Sequence, residues 1–192
     1  MKPKNELNPD IIKHNQNVST ISNLICESMR ISSIESRIIH TTAIYHDIGK
    51  SNVDQSILYK PGKLDQYEYE EIKKHARYGY NEMKGNTYLR NYALYVLYHH
   101  ENYNGGGYYN VKSSDIPLPS RILRMADYFD ALCESRPYRE PLSFEEAIKV
   151  IDENKKVFDP NVYDAFLRVI ESSSFSRVFG GLYENKFSVN QH

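Results

Sequence analysis

The sequence predicts an all-α fold, a single-domain helical bundle that spans residues 1–192. Apolar residues recur three and four positions apart along most of the chain, which is the period of an amphipathic helix. Helix start and stop signals separate these segments, and no stretch shows the alternation of a half-buried strand. The core of the bundle is predicted at about 9–170, with 174–192 as a C-terminal extension.

The first two helices are predicted from their apolar faces. In the first, about 10–29, Ile11 and Ile25 lie on the same side as other isoleucine and valine residues. The second, about 33–46, is followed by Gly49, a residue typical of helix C-termini. We therefore expect two neighbouring helices joined by a short connection.

The next two helices follow the turn sequence KPGKL. The third is predicted at about 66–84, with Ile72 and Met83 on one face. The fourth is predicted at about 86–100 and carries Leu89 and Val96. A long glycine-containing loop, NYNGGGYYNVKSSDIPLP, comes after it and interrupts the helical pattern.

The last three helices have clear start signals. The fifth is predicted at about 120–134. The sixth begins at Ser143, which forms a capping box with Glu146, and the seventh begins at Asp159, followed by Pro160 at the first helical position. The element order is therefore helical to about residue 170.

Composition excludes several classes of protein. The formal net charge of -1 argues against a general DNA, RNA or membrane-surface binder, and 40% hydrophobic content is enough for a folded core. There is no apolar run long enough to span a bilayer and no signal peptide. The two cysteines, Cys26 and Cys133, are expected as reduced buried thiols, which predicts a cytoplasmic location.

Seven ionisable side chains share the predicted apolar faces of five helices. His14, for example, lies three positions after Ile11 and four before Val18. The set is His14, His46, Asp47, His75, His99, His100 and Asp127. One inward histidine alone indicates a hydrogen-bonded core group, and Asp127 alone a buried cap or ion pair.

Taken together, the seven side chains favour a metal centre. Burying an unpaired charge costs several kcal/mol, and seven such groups are hard to satisfy with one another. A multinuclear site between facing helices satisfies all of them, because cations stabilise buried carboxylates. Asp47 has two oxygens with which to bridge two ions, and the adjacent His99 and His100 can take different positions on one ion.

This ordered set resembles the HD-domain metallophosphohydrolases. The stretches HDIGK, HHENYNGGGYY, IPLPSRILRMADYFDAL and RPYR are similar in particular to the HD-GYP subgroup, whose members are cyclic di-GMP phosphodiesterases. The resemblance covers about 9–170 and includes KPGKL and FDP. It implies a helical bundle of the HD type with a metal centre between helices, and a hydrolase acting on a bacterial second messenger.

The resemblance implies two or three divalent ions. One ion is expected on His46, Asp47 and Asp127, and a second on Asp47 as a bridge with His75, His99 and His100. His14 completes the first ion or helps to hold a third, for which Asp10 is a further candidate; Asp10 is otherwise a helix N-terminal acid favoured by the dipole. Iron or manganese is favoured, and zinc, nickel and cobalt also suit such ligands.

The resemblance also implies the chemistry. A hydroxide bridging the ions attacks the phosphodiester and linearises cyclic di-GMP to pGpG, with GMP as a further product. Asp47 and Lys50 are the expected catalytic residues, with Lys50 near the bound phosphate. The further expected substrate contacts are Lys50, Arg136, Arg139, Gly107, Tyr108 and Tyr138. With 17 tyrosines in the chain, either tyrosine is equally explained by ordinary packing.

The sequence departs from the usual Asp-Gly-x-Gly-Tyr-Pro loop. Asn104 stands where the family has aspartate, and Tyr109 stands where it has proline. Three consecutive glycines and the loss of proline are expected to make this loop more flexible. The departures spare every expected metal ligand and leave substrate choice open.

Three alternatives therefore remain. One is an HD hydrolase for another cyclic dinucleotide or nucleotide; another is a ligand-sensing or docking module with weak catalysis; the last is a di-iron oxygenase. The expected partner is a small-molecule substrate rather than a DNA or RNA polymer. An attached or separate sensory or receiver domain, or a GGDEF protein, is a further expected partner.

Overall fold

The computed structural model describes residues 8–134 and 140–183. Within these ranges the chain forms α-helices, short 3-10 turns and loops with no β-strand, so the predicted all-α fold is confirmed. The α-helices are α1 (Pro9–Ser28), α2 (Ser33–Tyr45), α3 (Gln55–Leu58), α4 (Gln66–Gly85), α5 (Ala93–Leu97), α6 (Leu118–Cys133), α7 (Phe144–Glu153), α8 (Pro160–Ile170) and α9 (Ser173–Tyr183).

Side-chain caps fix where several helices begin. At α7 the predicted capping box is confirmed, because Ser143 accepts from the backbone N–H of Glu146 and Glu146 accepts from that of Ser143. At α8 the predicted cap is also confirmed, since Asp159 accepts from the N–H of Asn161. These bonds satisfy donors that have no partner inside the helix.

The main core is built by α1, α2, α6 and α8. Phe129 of α6 is fully buried against Phe166 of α8, with ring centroids 5.2 Å apart. The segment that the sequence left as a C-terminal extension adds Phe175 and Phe179 of α9 to the same core. Each fully buried aromatic ring contributes about 1.5–3 kcal/mol relative to an exposed one.

The fourth predicted helix, about 86–100, was wrong in extent. Only Ala93–Leu97 is α-helical, and a 3-10 turn, Arg90–Tyr92, precedes it. The imidazole of His99 donates to the carbonyl of Val96, which a longer helix would pair with the N–H of residue 100. His99 and His100 therefore follow the helix instead of lying on it.

Gly49 does not end α2 as predicted. The helix ends at Tyr45, and Gly49 lies inside a 3-10 turn, Ile48–Asn52. A Cβ atom on Gly49 would lie only 2.0 Å from the carbonyl oxygen of His75. The glycine is needed because this turn packs directly on the backbone of α4. The close contact brings the residues that flank Gly49 near to α4.

None of the described helices combines the length and the apolar character that crossing a bilayer requires.

Candidate metal centre

The seven predicted side chains meet in one place between the helices. His14 lies on α1, His46 and Asp47 directly follow α2, His75 lies on α4, His99 and His100 follow α5, and Asp127 lies on α6. Six of them are almost completely buried, and the side chain of His100 is 20% exposed. The structure thus brings together ligands that are separated by more than 100 positions in the chain.

Three of the histidines are oriented in the same way. The Nδ1 atoms of His46, His75 and His99 lie 2.7, 2.7 and 2.5 Å from the carbonyl oxygens three residues earlier. A carbonyl oxygen only accepts, so Nδ1 carries the hydrogen in each ring. Each Nε2 atom therefore has a free lone pair directed at the centre of the cluster, which is the form that binds metals.

Two of these lone pairs face each other. The Nε2 atoms of His75 and His99 are 3.3 Å apart, and neither carries a hydrogen to share. Among the described residues, Nε2 of His46 and Oδ1 of Asp47 are buried without any hydrogen-bond partner. Such groups are costly to bury unless a cation lies between them.

Asp47 lies between the histidines. Its Oδ1 atom is 3.5 Å from Nε2 of His75, and its Oδ2 atom is 3.4 Å from Nε2 of His46. The ammonium group of Lys50, one turn later, contacts Oδ2. A carboxylate that addresses two imidazoles with separate oxygens is placed to bridge two ions.

Asp127, His14 and His100 form the remaining part of the cluster. Nε2 of His14 is 3.0 Å from Oδ1 of Asp127, and Nδ1 of His100 is 3.6 Å from its Oδ2. His46, His14 and Asp127 offer ligand atoms within 4.8 Å of one another, as do His75, His99 and His100. His46, Asp47 and His99 form a further group of this kind, which joins the two.

Two carboxylates beside His14 were missed by the sequence analysis. Nδ1 of His14 lies 2.7 Å from Asp130 and 3.4 Å from Glu134. Asp130 follows Asp127 by three positions, so helical spacing alone could have indicated it. The other candidate, Asp10, is exposed at the start of α1, where its N–H bonds to Asn8.

Burial controls the protonation of the ligands. It lowers the pKa of His75 to about 4 and that of His99 to about 3, and it also lowers the pKa of His46 and His100. These rings are therefore neutral near pH 7. A neutral imidazole is the species that binds a metal ion.

In Asp47 and His14 the neighbouring groups outweigh the effect of burial on the pKa. Burial alone would raise the pKa of Asp47, but Lys50 and the surrounding imidazoles hold it well below the usual value. Burial would lower the pKa of His14, yet hydrogen bonds to Asp127, Asp130 and Glu134 raise it well above the usual value. The neighbouring carboxylates therefore favour the protonated form of His14.

The donor set fits divalent metal ions. Imidazole nitrogens with unprotonated lone pairs and ionised carboxylates are ligands for iron, manganese, zinc, nickel and cobalt. The buried atoms of His46 and Asp47 without hydrogen-bond partners are the positions that ions would satisfy. We conclude that the residues present fit divalent metal ions.

The glycine-rich loop lies against this centre. The Tyr108 ring packs 4.6 Å from the ring of His100, and burial raises the pKa of the phenol. A Cβ atom on Gly107 would lie 2.8 Å from the carbonyl oxygen of His100, so glycine is required for this approach. Glu101, missed by the sequence analysis, accepts from the N–H groups of Tyr109 and Val111 and holds the loop.

A cavity of about 600 Å³ opens beside the cluster, with His100 and Asp127 in its wall. Its other side chains include Tyr69, Lys73 and Arg124, none of which the sequence analysis selected. Three predicted substrate contacts, Arg136, Tyr138 and Arg139, lie outside the described residues.

The chain is similar to several known proteins. A family model described as HD domain matches residues 5–162. The cyclic di-GMP phosphodiesterase response regulator RpfG of Xanthomonas campestris is 39% identical over 80% of this chain and 42% of its own. The 3'3'-cGAMP-specific phosphodiesterase 3 of Vibrio cholerae is 33% identical over 82% of this chain and 35% of its own.

A solved structure shares the fold. An HDG"Y"P protein from Bdellovibrio bacteriovorus superposes with a TM-score of 0.69, at 17% identity, over 84% of this chain and 53% of that one. The chain spans less than half the length of the two curated relatives described above.

Proposed function

This chain belongs to the HD domain family, and on that premise we propose that it is a metal-dependent phosphodiesterase that hydrolyses cyclic di-GMP to linear pGpG, with GMP as a further product. One observation carries the proposal. The cluster holds facing imidazole lone pairs and a buried carboxylate, and it opens directly into a cavity of about 600 Å³. Ions in the cluster would therefore contact a ligand in the cavity.

The ligands divide into two groups around Asp47. His46, Asp47, Asp127 and His14 would hold one ion, and His75, His99 and His100 would hold the second with Asp47 as the bridge. Iron or manganese is the proposed metal. Such ions supply Lewis acidity and a nucleophile available at neutral pH.

The other residues of the site orient and shield the substrate. Lys50 contacts Asp47, and its side chain is 22% exposed; its proposed role is to bring a positive charge near the substrate phosphate. Tyr108 covers the rings of His100 and His75, which keeps bulk water from that side. The carboxylate of Asp130 holds Nδ1 of His14 and directs its Nε2 atom to Asp127.

A second candidate substrate is 3'3'-cGAMP. Three relatives from Vibrio cholerae are named as specific for it, and the loop departs from the usual pattern at Asn104 and Tyr109. The sensing-module and oxygenase alternatives are less favoured, because the full ligand set is present and Lys50 adds a cation suited to phosphate. Turnover of a panel of cyclic dinucleotides separates these possibilities.

We further propose that the chain acts in the cytoplasm as the catalytic part of a longer signalling protein or beside a GGDEF protein. The relative from Xanthomonas campestris is named a response regulator, and this chain corresponds to 42% of it. A sensory or receiver domain is therefore the proposed partner.

The test is metal analysis of protein prepared without oxygen, combined with turnover of cyclic di-GMP. About two bound ions per chain and release of pGpG are expected. An Asp47→Ala variant should lose both, with activity reduced at least ~10³-fold, because several kcal/mol of transition-state stabilisation is removed. The exposed Asp164 provides the matched control, Asp164→Ala. Normal cleavage by Asp47→Ala would contradict the bridging role, and absence of any cyclic dinucleotide turnover by the unmodified protein would contradict the proposed function.

A further inference from the structure

Arg124 is placed at the active-site cavity without an acidic partner. It lies on α6, one turn before Asp127, and both side chains line the cavity. Among the described residues no carboxylate forms an ion pair with Arg124. Surface arginines are usually solvated, but this one is half-buried beside the ligands, which indicates a role in the cavity.

The guanidinium group of Arg124 is held in one orientation. Both Nε and Nη2 donate to Oδ1 of Asn102, at 3.1 and 2.9 Å. The guanidinium carbon lies 5.0 Å from the ring centroid of Tyr128, one turn further along α6. The Nε/Nη2 edge of the guanidinium group is therefore bonded to Asn102. The Nη1/Nη2 edge of this planar, fork-shaped group remains to donate two parallel hydrogen bonds.

The surroundings favour a flat partner for that edge. The rings of Tyr69, Tyr108 and Tyr128 all line the cavity. Aromatic faces stack with nucleobases, at about 1–3 kcal/mol per base, and give little to a hydrated phosphate. A base bonded to Arg124 edge to edge would lie beside these rings.

We infer that Arg124 recognises a guanine of the substrate through the O6 and N7 atoms and thereby selects cyclic dinucleotides that contain guanine. Guanine presents two adjacent acceptors, which match the two free donors of the fork. Adenine presents N7 as an acceptor but an amino group at the neighbouring position, so it opposes a donor with a donor. This inference rests on the proposed function, since it assigns a specificity determinant to the same cavity.

The test compares cyclic di-GMP, 3'3'-cGAMP and cyclic di-AMP as substrates of the metal-loaded protein. The unmodified protein should cleave cyclic di-GMP best and cyclic di-AMP least. Arg124→Gln should lower kcat/KM for cyclic di-GMP roughly 10- to 100-fold, mainly through KM, and leave that for cyclic di-AMP nearly unchanged. Arg124→Lys keeps the charge but loses the fork, and it should behave like Arg124→Gln.

The control is Arg90→Gln, which removes a positive charge from an exposed position distant in sequence from the cavity residues of α6. It should change no substrate ratio. An equal loss of all three substrates in Arg124→Gln, or recovery in Arg124→Lys, would overturn the inference and indicate a phosphate contact instead.

A binding measurement separates this inference from the proposed function. Calorimetric titration of the metal-loaded protein should give tighter binding of cyclic di-GMP than of cyclic di-AMP, and Arg124→Gln should remove the difference. If this holds without any cleavage, the guanine contact stands and the proposed hydrolysis falls. If cleavage occurs with equal affinity for both ligands, the hydrolysis stands and the guanine contact falls.

Discussion

Helix α6 has two faces that are held in place by different means. On one face, Met125 and Phe129 are fully buried among apolar residues of α1, α7 and α8. On the other face, Arg124, Asp127 and Tyr128 line the cavity, and Asp127 meets the histidines. Both faces repeat at three and four positions, so the spacing alone does not tell them apart.

The comparison shows what each face needs. The apolar face is satisfied by burial of its own rings. The polar face of α6 meets a cluster in which buried atoms of His46 and Asp47, from the segment after α2, have no hydrogen-bond partner among the described residues. The apolar face of α6 therefore contributes mainly to the stability of the fold, and the polar face contributes mainly to the candidate metal site and the cavity.

The largest expected effect on stability comes from the apolar face. Phe129→Ala should lower the free energy of unfolding by about 3–5 kcal/mol, because the deletion removes buried area and leaves a cavity against Phe166 and Phe175. Urea denaturation with and without metal checks this, and the loss should be the same in both. A loss present only in the metal-loaded protein would show that the two faces are not independent.

The next effect concerns the histidines that the polar face of α6 meets, and it depends on pH in the metal-free protein. The pKa of His75 is lowered to about 4 and that of His99 to about 3, below the ordinary value near 6.5. Between these values the unfolded chain binds more protons than the folded chain. Stability present above pH 6.5 is therefore lost as the pH falls towards 3, by on the order of several kcal/mol.

Thermal unfolding of the metal-free protein at a series of pH values measures this loss. His14 contributes in the opposite direction, since its raised pKa gives stability that is present below pH 6.5 and lost as the pH rises through its folded-state value. A His75→Gln, His99→Gln double variant should have a flatter pH profile. An unchanged profile would mean that these rings have the same pKa in the folded and the unfolded chain.

The smallest effect concerns the residue that positions His14. Asp130→Asn should weaken metal binding about 10- to 100-fold, because the carboxylate no longer fixes the ring of His14 at 2.7 Å. Competition with a chelator measures the affinity, and circular dichroism checks that the fold is unchanged. Asp152→Asn, at an exposed position on α7, is the matched control. Equal metal affinity in Asp130→Asn and the unmodified protein would remove Asp130 from the site.

The helices were predictable where local signals agree with the packing. The starts of α7 and α8 followed from Ser143 and Asp159, whose side chains cap their own helices within a few residues. The end of α5 was not predictable from spacing, because His99 takes a backbone carbonyl that would otherwise continue the helix. Gly49 was also misread, since its contact is with α4 and not with its own helix.

The sequence by itself determined the helical periodicity and the seven polar residues on or directly after apolar helical segments, because both follow from residue type and spacing along one chain. Only the tertiary structure decided that His75 and His99 face each other, that Asp130 supports His14, and that Arg124 lines the cavity with no carboxylate paired to it among the described residues. These relations join residues on different helices or depend on which side of a helix is covered. Their geometry is set by helix packing, and that information is not contained in the local order of the residues.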